Sequence, residues 1–400
     1  MGSNPPVRDW ATDFDHTDDA WAADPYPIFE QLRGSCPVAH SDRFGGVWLP
    51  TRHADVAAIA YDTERFSSRS VVVSNRRAPM ELAPAGFAPP ISSDPPYHHD
   101  ARRVLLPIFS PQAVAELEPA TRAHCEALVD AMGDRDLVDG AIDYAQHIPV
   151  RVIATMLGLP EADAELFRGF VHHVLEGVAK PFEERAEGFQ ALFDYLRGHI
   201  LDHQAHPRDD LISVLLATER DGELLSVFEV ARTIALLLIA GIDTTWSAIG
   251  ASLWHLAKTP ADRDRLVAEP GLLATAIEEL LRVYAPVTMA RLVKQDTEFR
   301  GCPMKAEDWV LLSFPAANRD PEVFDRADEV VIDRQRNRHA AFGLGPHRCA
   351  GSHLARMELR VALEVWLRAF PTFALADPGA VRWSAGQVRG PRVLPLQISR

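Results

Sequence analysis

The sequence predicts one large domain built on long helices, and three observations carry that expectation. From Ser226 to Pro260 the chain reads as one uninterrupted helix that is apolar on nearly every face, and shorter helical patterns cover Leu272 to Tyr284 and Leu354 to Phe370. No Gly/Ser-rich or Pro-rich linker, low-complexity tract or internal repeat divides the 400 residues. A hydrophobic content of 47% is enough for one large shared core, so a single domain over residues 1–400 is expected. The Pro-rich stretch Ala78 to Pro96 reads as a long loop inside it.

Forty-one basic residues stand against fifty-six acidic ones, a formal net charge of −15, which argues against a nucleic-acid partner. The four cysteines, Cys36, Cys125, Cys302 and Cys349, are widely and irregularly spaced. That usage fits a reducing compartment without a disulfide framework or a Cys-x-x-Cys zinc motif. Met1 to Trp10 has no apolar signal core, and the longest apolar run, Ile234 to Ile242, is too short to span a bilayer. A soluble, cytoplasmic protein with no membrane partner is expected. Locally the charge reverses: Arg334, Arg336, Arg338 and His339 form a basic run, with Arg348 a little further on. Such runs are commonly solvated faces, but this one precedes the Cys349 segment and is also placed to steer an acidic protein.

The long helix opens on Ser226-Val227-Phe228-Glu229, a capping-box pattern, and meets no proline until Pro260. At 1.5 Å per residue its thirty or so residues span about 45 Å, enough to cross the domain. Its middle reads Ala240-Gly241-Ile242-Asp243-Thr244-Thr245. Polar residues there are costly unless something uses them, and Gly241 weakens the helix by about 1 kcal/mol relative to alanine. The plain account is a kink in which threonine hydroxyls bond back to preceding carbonyls. The other is a polar break that serves a ligand.

Cys349 lies in Phe342-Gly343-Leu344-Gly345-Pro346-His347-Arg348-Cys349-Ala350-Gly351, just ahead of the helical pattern Leu354 to Phe370. A sulfur at a helix N-terminus meets unpaired N–H groups and the positive end of the helix dipole, which favour the ionised, iron-binding form. Gly343, Gly345 and Gly351 let the backbone turn tightly and pass close to a flat ligand. A buried structural cysteine beside a Gly-rich turn is the plainer alternative. The segment resembles the cysteine-ligand loop of the cytochrome P450 superfamily, Phe-x-x-Gly-x-x-x-Cys-x-Gly, matched at Phe342, Gly345, Cys349 and Gly351. The middle of the long helix resembles the same superfamily's Ala-Gly-x-Asp-Thr pattern, matched at Ala240, Gly241, Asp243 and Thr244.

The resemblance implies a mainly α fold with small β-sheets and one haem b (iron protoporphyrin IX) between the long helix and the cysteine loop, with Cys349 as the iron ligand. It implies that Gly241 opens a groove for dioxygen, that Thr244 donates a hydrogen bond to the oxygen, and that Asp243 passes protons inward. The stretch Asp94 to Arg102 is similar to the family's Asp-Pro-Pro-x-His-x-x-x-Arg segment. His98 and Arg102, with Arg291 and His347, would then face the two propionates. Ala240, Gly241, Phe342, Gly343 and Gly351 would complete the cofactor contacts. Glu279-Leu280-Leu281-Arg282 corresponds to the family's Glu-x-x-Arg ion pair. Glu329-Val330 stands where the third partner of that network, an Arg followed by Phe, is expected, leaving Arg326 or Arg334 to substitute. His199 and His203 have i, i+4 spacing with His206 nearby, but lack the glutamate or the carboxylate and cysteine cluster of a metal site.

The reaction implied is insertion of one oxygen atom from O2 into a small or medium hydrophobic substrate, by hydroxylation or O-/N-dealkylation. No flavin or iron–sulfur motif is present, so NAD(P)H electrons would arrive through a ferredoxin or flavodoxin-type donor with its reductase. Pocket walls are expected from Val71 to Pro90, around Leu166 to Phe182, from Leu237, Ala240 and Gly241, and from Val287 to Ala290, including Thr288 and Met289. The absence of an N-terminal anchor resembles the bacterial soluble type. Trp383 to Arg392 is similar to a branch that includes self-sufficient enzymes with a fused reductase, in which case the chain is the haem domain of a longer protein. Two other readings stay open: a peroxide-driven haem peroxygenase, and a non-enzymatic haem sensor.

Overall fold

The computed structural model describes residues 5–171, 182–220 and 222–399. Its axis is a helix of 32 residues, Val227–Lys258, about 48 Å long at 1.5 Å per residue. The capping box is in place: Ser226 Oγ accepts from the Glu229 N–H, and the Glu229 carboxylate accepts from the Ser226 N–H. Ile234, Leu238, Ile242, Ile249 and Leu253 are buried along one face of this central helix. Helices His147–Leu157, Phe182–Ala205 and Ser352–Ala369 pack around it, joining it to a core that includes Tyr144, Trp366 and Phe370. The central helix is long and apolar enough to cross a membrane, but 72% of its most apolar stretch is buried inside the protein. It is a core helix.

A smaller lobe holds a five-stranded sheet in the spatial order Val38–Ser41, Val47–Pro50, Trp309–Ser313, Thr288–Val293, Phe66–Ser67. Its own core is built on Trp21, Phe29, Leu32 and Trp309. Strand Thr288–Val293 pairs antiparallel with Trp309–Ser313, with Arg291 opposite Val310 and Met289 opposite Leu312. Side chains alternate along such a strand, so Met289 and Arg291 share one face while Thr288 and Ala290 take the other. The mainly helical fold with small sheets is the one expected, and all four cysteines are free.

Two adjacent carboxylates on helix Leu273–Val283 tie the approach to Cys349. Glu279 and Arg282 are both fully buried, paired through two 2.8 Å hydrogen bonds. Glu279 also accepts from Arg334 Nε at 2.9 Å, Asn337 Nδ2 at 3.0 Å and the Val331 N–H at 2.8 Å. Arg282 spends its remaining donors on the carbonyls of Asn318, Ala327 and Glu329. Burial opposes the charge on Glu279, yet Arg282, the Val331 N–H and Arg334 outweigh it and hold the carboxyl below its usual range. Of the two expected substitutes, then, Arg334 is the third partner. Arg326 is half-exposed and reaches the Glu329 carboxylate instead.

Its neighbour Glu278 accepts both arms of Arg356 on helix Ser352–Ala369, at 2.6 and 2.7 Å, and meets His339 at 3.1 Å. Burial is again outweighed, here by Arg356 and His339, and the Glu278 carboxyl is lowered to about 2. Removing one partner of a buried pair strands the other charge. Arg282→Ala is therefore expected to cost about 3–5 kcal/mol in denaturant unfolding, whereas Arg326→Ala should stay within the ±0.5 kcal/mol usual for surface changes.

Candidate active site

One deep cavity lies between the central helix and the Cys349 loop. Leu237, Ala240, Gly241, Thr244, Thr245 and Ala248 form its roof. Their spacing of three and four residues puts them on one helix face, and Asp243 falls off that face. The floor is the loop itself: Phe342, Gly343, His347, Cys349 and Gly351 all line the cavity. Val71, Val287, Met289 and Arg291 close one side. Leu237, Val287 and Met289 are placed as expected. Thr288 is not: it sits on the opposite strand face and bonds to the Gln387 carbonyl. Ala290 lies on that same face. Of the segment from Leu166, residues up to Val171 do not reach the cavity, and residues 172–181 lie outside the described residues.

The loop's shape comes from its glycines and one closing bond. Gly343 has φ +72° and Gly345 φ +69°, the left-handed region that side chains rarely adopt. A Cβ on Gly345 would also stand 2.5 Å from the Ala60 carbonyl oxygen. The Cys349 N–H donates to the Phe342 carbonyl at 2.7 Å, folding the sulfur under the cavity three residues ahead of helix Ser352–Ala369. Gly351 is freer, since a Cβ there would meet only the Phe109 ring at ordinary contact distance. Gly241 serves packing as well as the roof. An added Cβ would stand 2.6 Å from Ile153 on the neighbouring helix.

Cys349 does not follow the helix-dipole expectation. Burial pushes its thiol up, and the Gly351 N–H with Arg102, Arg348 and Arg356 only partly offsets that. The sulfur ionises when a cation binds it, not through its backbone surroundings alone.

One edge of the cavity is polar and under-partnered. His98 is buried, neither ring nitrogen has a partner, and its ring lies 4.2 Å from that of His347. Burial, then Arg102, His99 and Arg291, lower His98 to about 4. Burial with Arg291 and His98 lowers His347 to about 2, and Ser68 Oγ stands 2.9 Å from its Nε2. Arg291 is buried, held at about 10 by that burial against the pull of Asp94. Arg102 reaches the Arg348 carbonyl at 2.5 Å. Orphaned imidazole nitrogens, the buried Arg291 and the half-buried Arg102 facing one cavity call for an anion with several oxygens. A haem with its two propionates fits that edge, and the Cys349 thiol lines the same cavity.

The two polar roof residues diverge. Thr244 lines the cavity with its hydroxyl bonded back to the Ala240 carbonyl at 2.8 Å, the geometry of the plain account. Asp243 is fully buried and meets Arg392 at 2.6 Å, on the side away from the cavity. Arg392, Glu278 and the buried Glu358 on the floor helix went unread in the sequence, because each partner is distant in sequence or absent. Both carboxyl oxygens of Glu358 lack partners among the described residues, and burial raises it far above the usual range. Arg334 and His339 drop out of the basic surface, paired to Glu279 and Glu278, whereas Arg336, Arg338 and Arg348 are exposed. His203 bonds to the His199 carbonyl and to Asp210.

A family model described as Cytochrome P450 matches residues 160–377, more than half of the chain. The chain belongs to the cytochrome P450 family. It is 36% identical over 394 residues to the nocardicin C N-oxygenase of Nocardia uniformis subsp. tsuyamanensis, covering 94% of this chain and 96% of that one. It is 32% identical to cytochrome P450-terp of Pseudomonas sp, covering 94% of each. The solved structure of the Bacillus subtilis 168 bacillaene polyketide synthase cytochrome P450 PksS superposes with a TM-score of 0.88 at 28% identity, over 97% of this chain and 100% of that one. The protein is thus a single-domain P450 monooxygenase, and its family implies a haem-thiolate cofactor.

The neutral state of His98 has a consequence for this P450 before the cofactor binds. A histidine held at about 4 when folded, against 6.5 when free, binds fewer protons folded than unfolded between those values. Stability of the cofactor-free protein should therefore fall as pH drops from about 6.5 toward 4. His98→Asn should flatten that fall in denaturant melts at pH 7 and 5; an unchanged slope would place the proton uptake elsewhere.

Proposed function

We propose that this P450 oxygenates a small or medium hydrophobic substrate, by hydroxylation or O-/N-dealkylation, with haem b held between Cys349 and the central helix. The observation that carries this reading is one cavity with the Cys349 sulfur on its floor, Thr244 on its roof and an otherwise apolar side wall. When bound, the haem supplies dioxygen activation, and thiolate ligation favours O–O cleavage.

The residues divide the remaining work. Arg102 and Arg291 would neutralise the propionates, with the neutral rings of His98 and His347 as hydrogen-bond donors beside them, and Phe342, Gly343, Ala240, Gly241 and Gly351 would line the cofactor. Leu237, Val287 and Met289 exclude water and seat the substrate. Thr244 hands its hydroxyl hydrogen inward once it leaves the Ala240 carbonyl, and Asp243, one residue before it, carries protons from the far side of the helix. Relatives named for hydroxylation of vitamin D(3) at position 25, for N-oxygenation of nocardicin C, and for hydroxylation and epoxidation of mycinamicin IV support oxygen insertion as the reaction class. Electrons come from NAD(P)H through a separate ferredoxin or flavodoxin-type donor, and Arg336, Arg338 and Arg348 are the exposed cations beside the Cys349 loop that fit an acidic partner.

Cys349→Ala should abolish the long-wavelength Soret band of the reduced, CO-treated protein. Retention of that band would remove Cys349 as the ligand. Thr244→Ala should keep haem and substrate binding while NADPH consumption continues and hydrogen peroxide replaces product. Product formed per NADPH oxidised is the measurement, and wild-type coupling in Thr244→Ala would overturn the role of the roof hydroxyl.

A further inference from the structure

Asp243 needs a counter-ion, and the chain supplies one from a distant element. Arg392 sits on the short strand Pro391–Val393, paired with Arg382–Trp383. Its guanidinium donates to Asp243 Oδ1 at 2.6 Å and to Ser247 Oγ at 3.0 Å, and lies 4.3 Å from the Trp246 ring centroid. This strand is seated directly on the central helix, because Gly390 leaves no room for a Cβ against Ser247. The same segment reaches the substrate wall. Val388 bridges to Val287, and Gln387 Nε2 donates to the Val71 carbonyl and contacts Met289 Sδ.

Burial separates the two partners. The Asp243 side chain has no exposure, while that of Arg392 keeps 14%. A buried carboxylate without a cation would take up a proton and keep it, and one free to rotate would spend little time aimed at the next acceptor. An arginine fork fixed by a second hydrogen bond and an aromatic face prevents both.

We propose that Arg392 is a positioning residue for catalysis: it keeps the Asp243 carboxylate charged and oriented, and so sets the rate at which protons enter the cavity. The inference rests on the reading of Asp243 as the proton carrier. It is tested on the holoenzyme with R392Q, R392K, D243N and the double variant D243N/R392Q, measuring haem content, substrate affinity by spectral titration, turnover, and the H2O/D2O isotope effect on turnover.

R392Q should slow turnover about tenfold or more, within the range that positioned proton transfer contributes, and enlarge the isotope effect while substrate affinity stays within about twofold. R392K should recover part of the loss, and R392Q should slow turnover no further in a D243N background. Wild-type turnover and isotope effect in R392Q beside a slow D243N would overturn the proposal and leave the role of Asp243 standing. A D243N enzyme at wild-type rate would overturn the proton-carrier reading itself. Denaturant unfolding of the holoenzymes reads the pair without activity. If R392Q loses haem and the double variant regains it, the charge pairing is supported. A double variant as unstable as R392Q would mean that Arg392 serves the strand and not Asp243, overturning the proposal.

Discussion

The site depends on satisfying one buried carboxylate. Glu279 has no exposure, and residues 318–337 are folded around the need to neutralise and bond it: Arg282, Arg334, Asn337 and the Val331 N–H converge on its two oxygens. Irregular backbone is costly to bury because its carbonyls lose water, and here Arg282 caps three of them at once. Once that meander is fixed, Asn318 Oδ1 receives the Ala340 N–H at 2.6 Å, and the cysteine loop starts two residues later. Glu278, next in sequence, clamps the other end through Arg356, whose guanidinium also lies 4.4 Å from the Phe342 ring centroid. A sulfur that must hold one position under a cofactor is thus anchored on both sides by neighbouring residues of a single helix.

The cavity itself is polarised by composition. One part is walled by the apolar side chains of Val71, Leu237, Val287 and Met289, from which water is readily displaced. Another edge gathers His98, His347, Arg102 and Arg291, and burial keeps the histidines neutral. Such a cluster carries unfavourable energy until an anion arrives, so the binding of a dianionic cofactor relieves a cost that the fold built in.

Much of this was legible in the sequence because it is local. The capping box, the apolar helix and the glycine-spaced cysteine loop each occupy one short run whose chemistry has few alternative uses. The placement of Thr288 was misjudged for want of register: strand alternation moves every second side chain to the other face, and no local signal says which face meets the cavity. Arg334 read equally well as a solvated charge, since its partner Glu279 is 55 residues away. Helix position alone also leaves out desolvation, which pushes the Cys349 thiol up against the pull of the Gly351 N–H and the nearby arginines.

Long-range pairing explains why the central helix can carry a charge at all. Asp243 and Thr244 are neighbours in sequence, but at 100° per residue they look to different sides, Thr244 into the cavity and Asp243 toward the strand that bears Arg392. On the cavity face the carboxylate would have stood among the apolar side chains of Leu237, Ala240 and Ala248. Turned outward, it requires an arginine that the helix cannot provide from its own surface, and the β-segment near the C-terminus delivers one. The polar break in an otherwise apolar helix is therefore stable because it is shared between two elements.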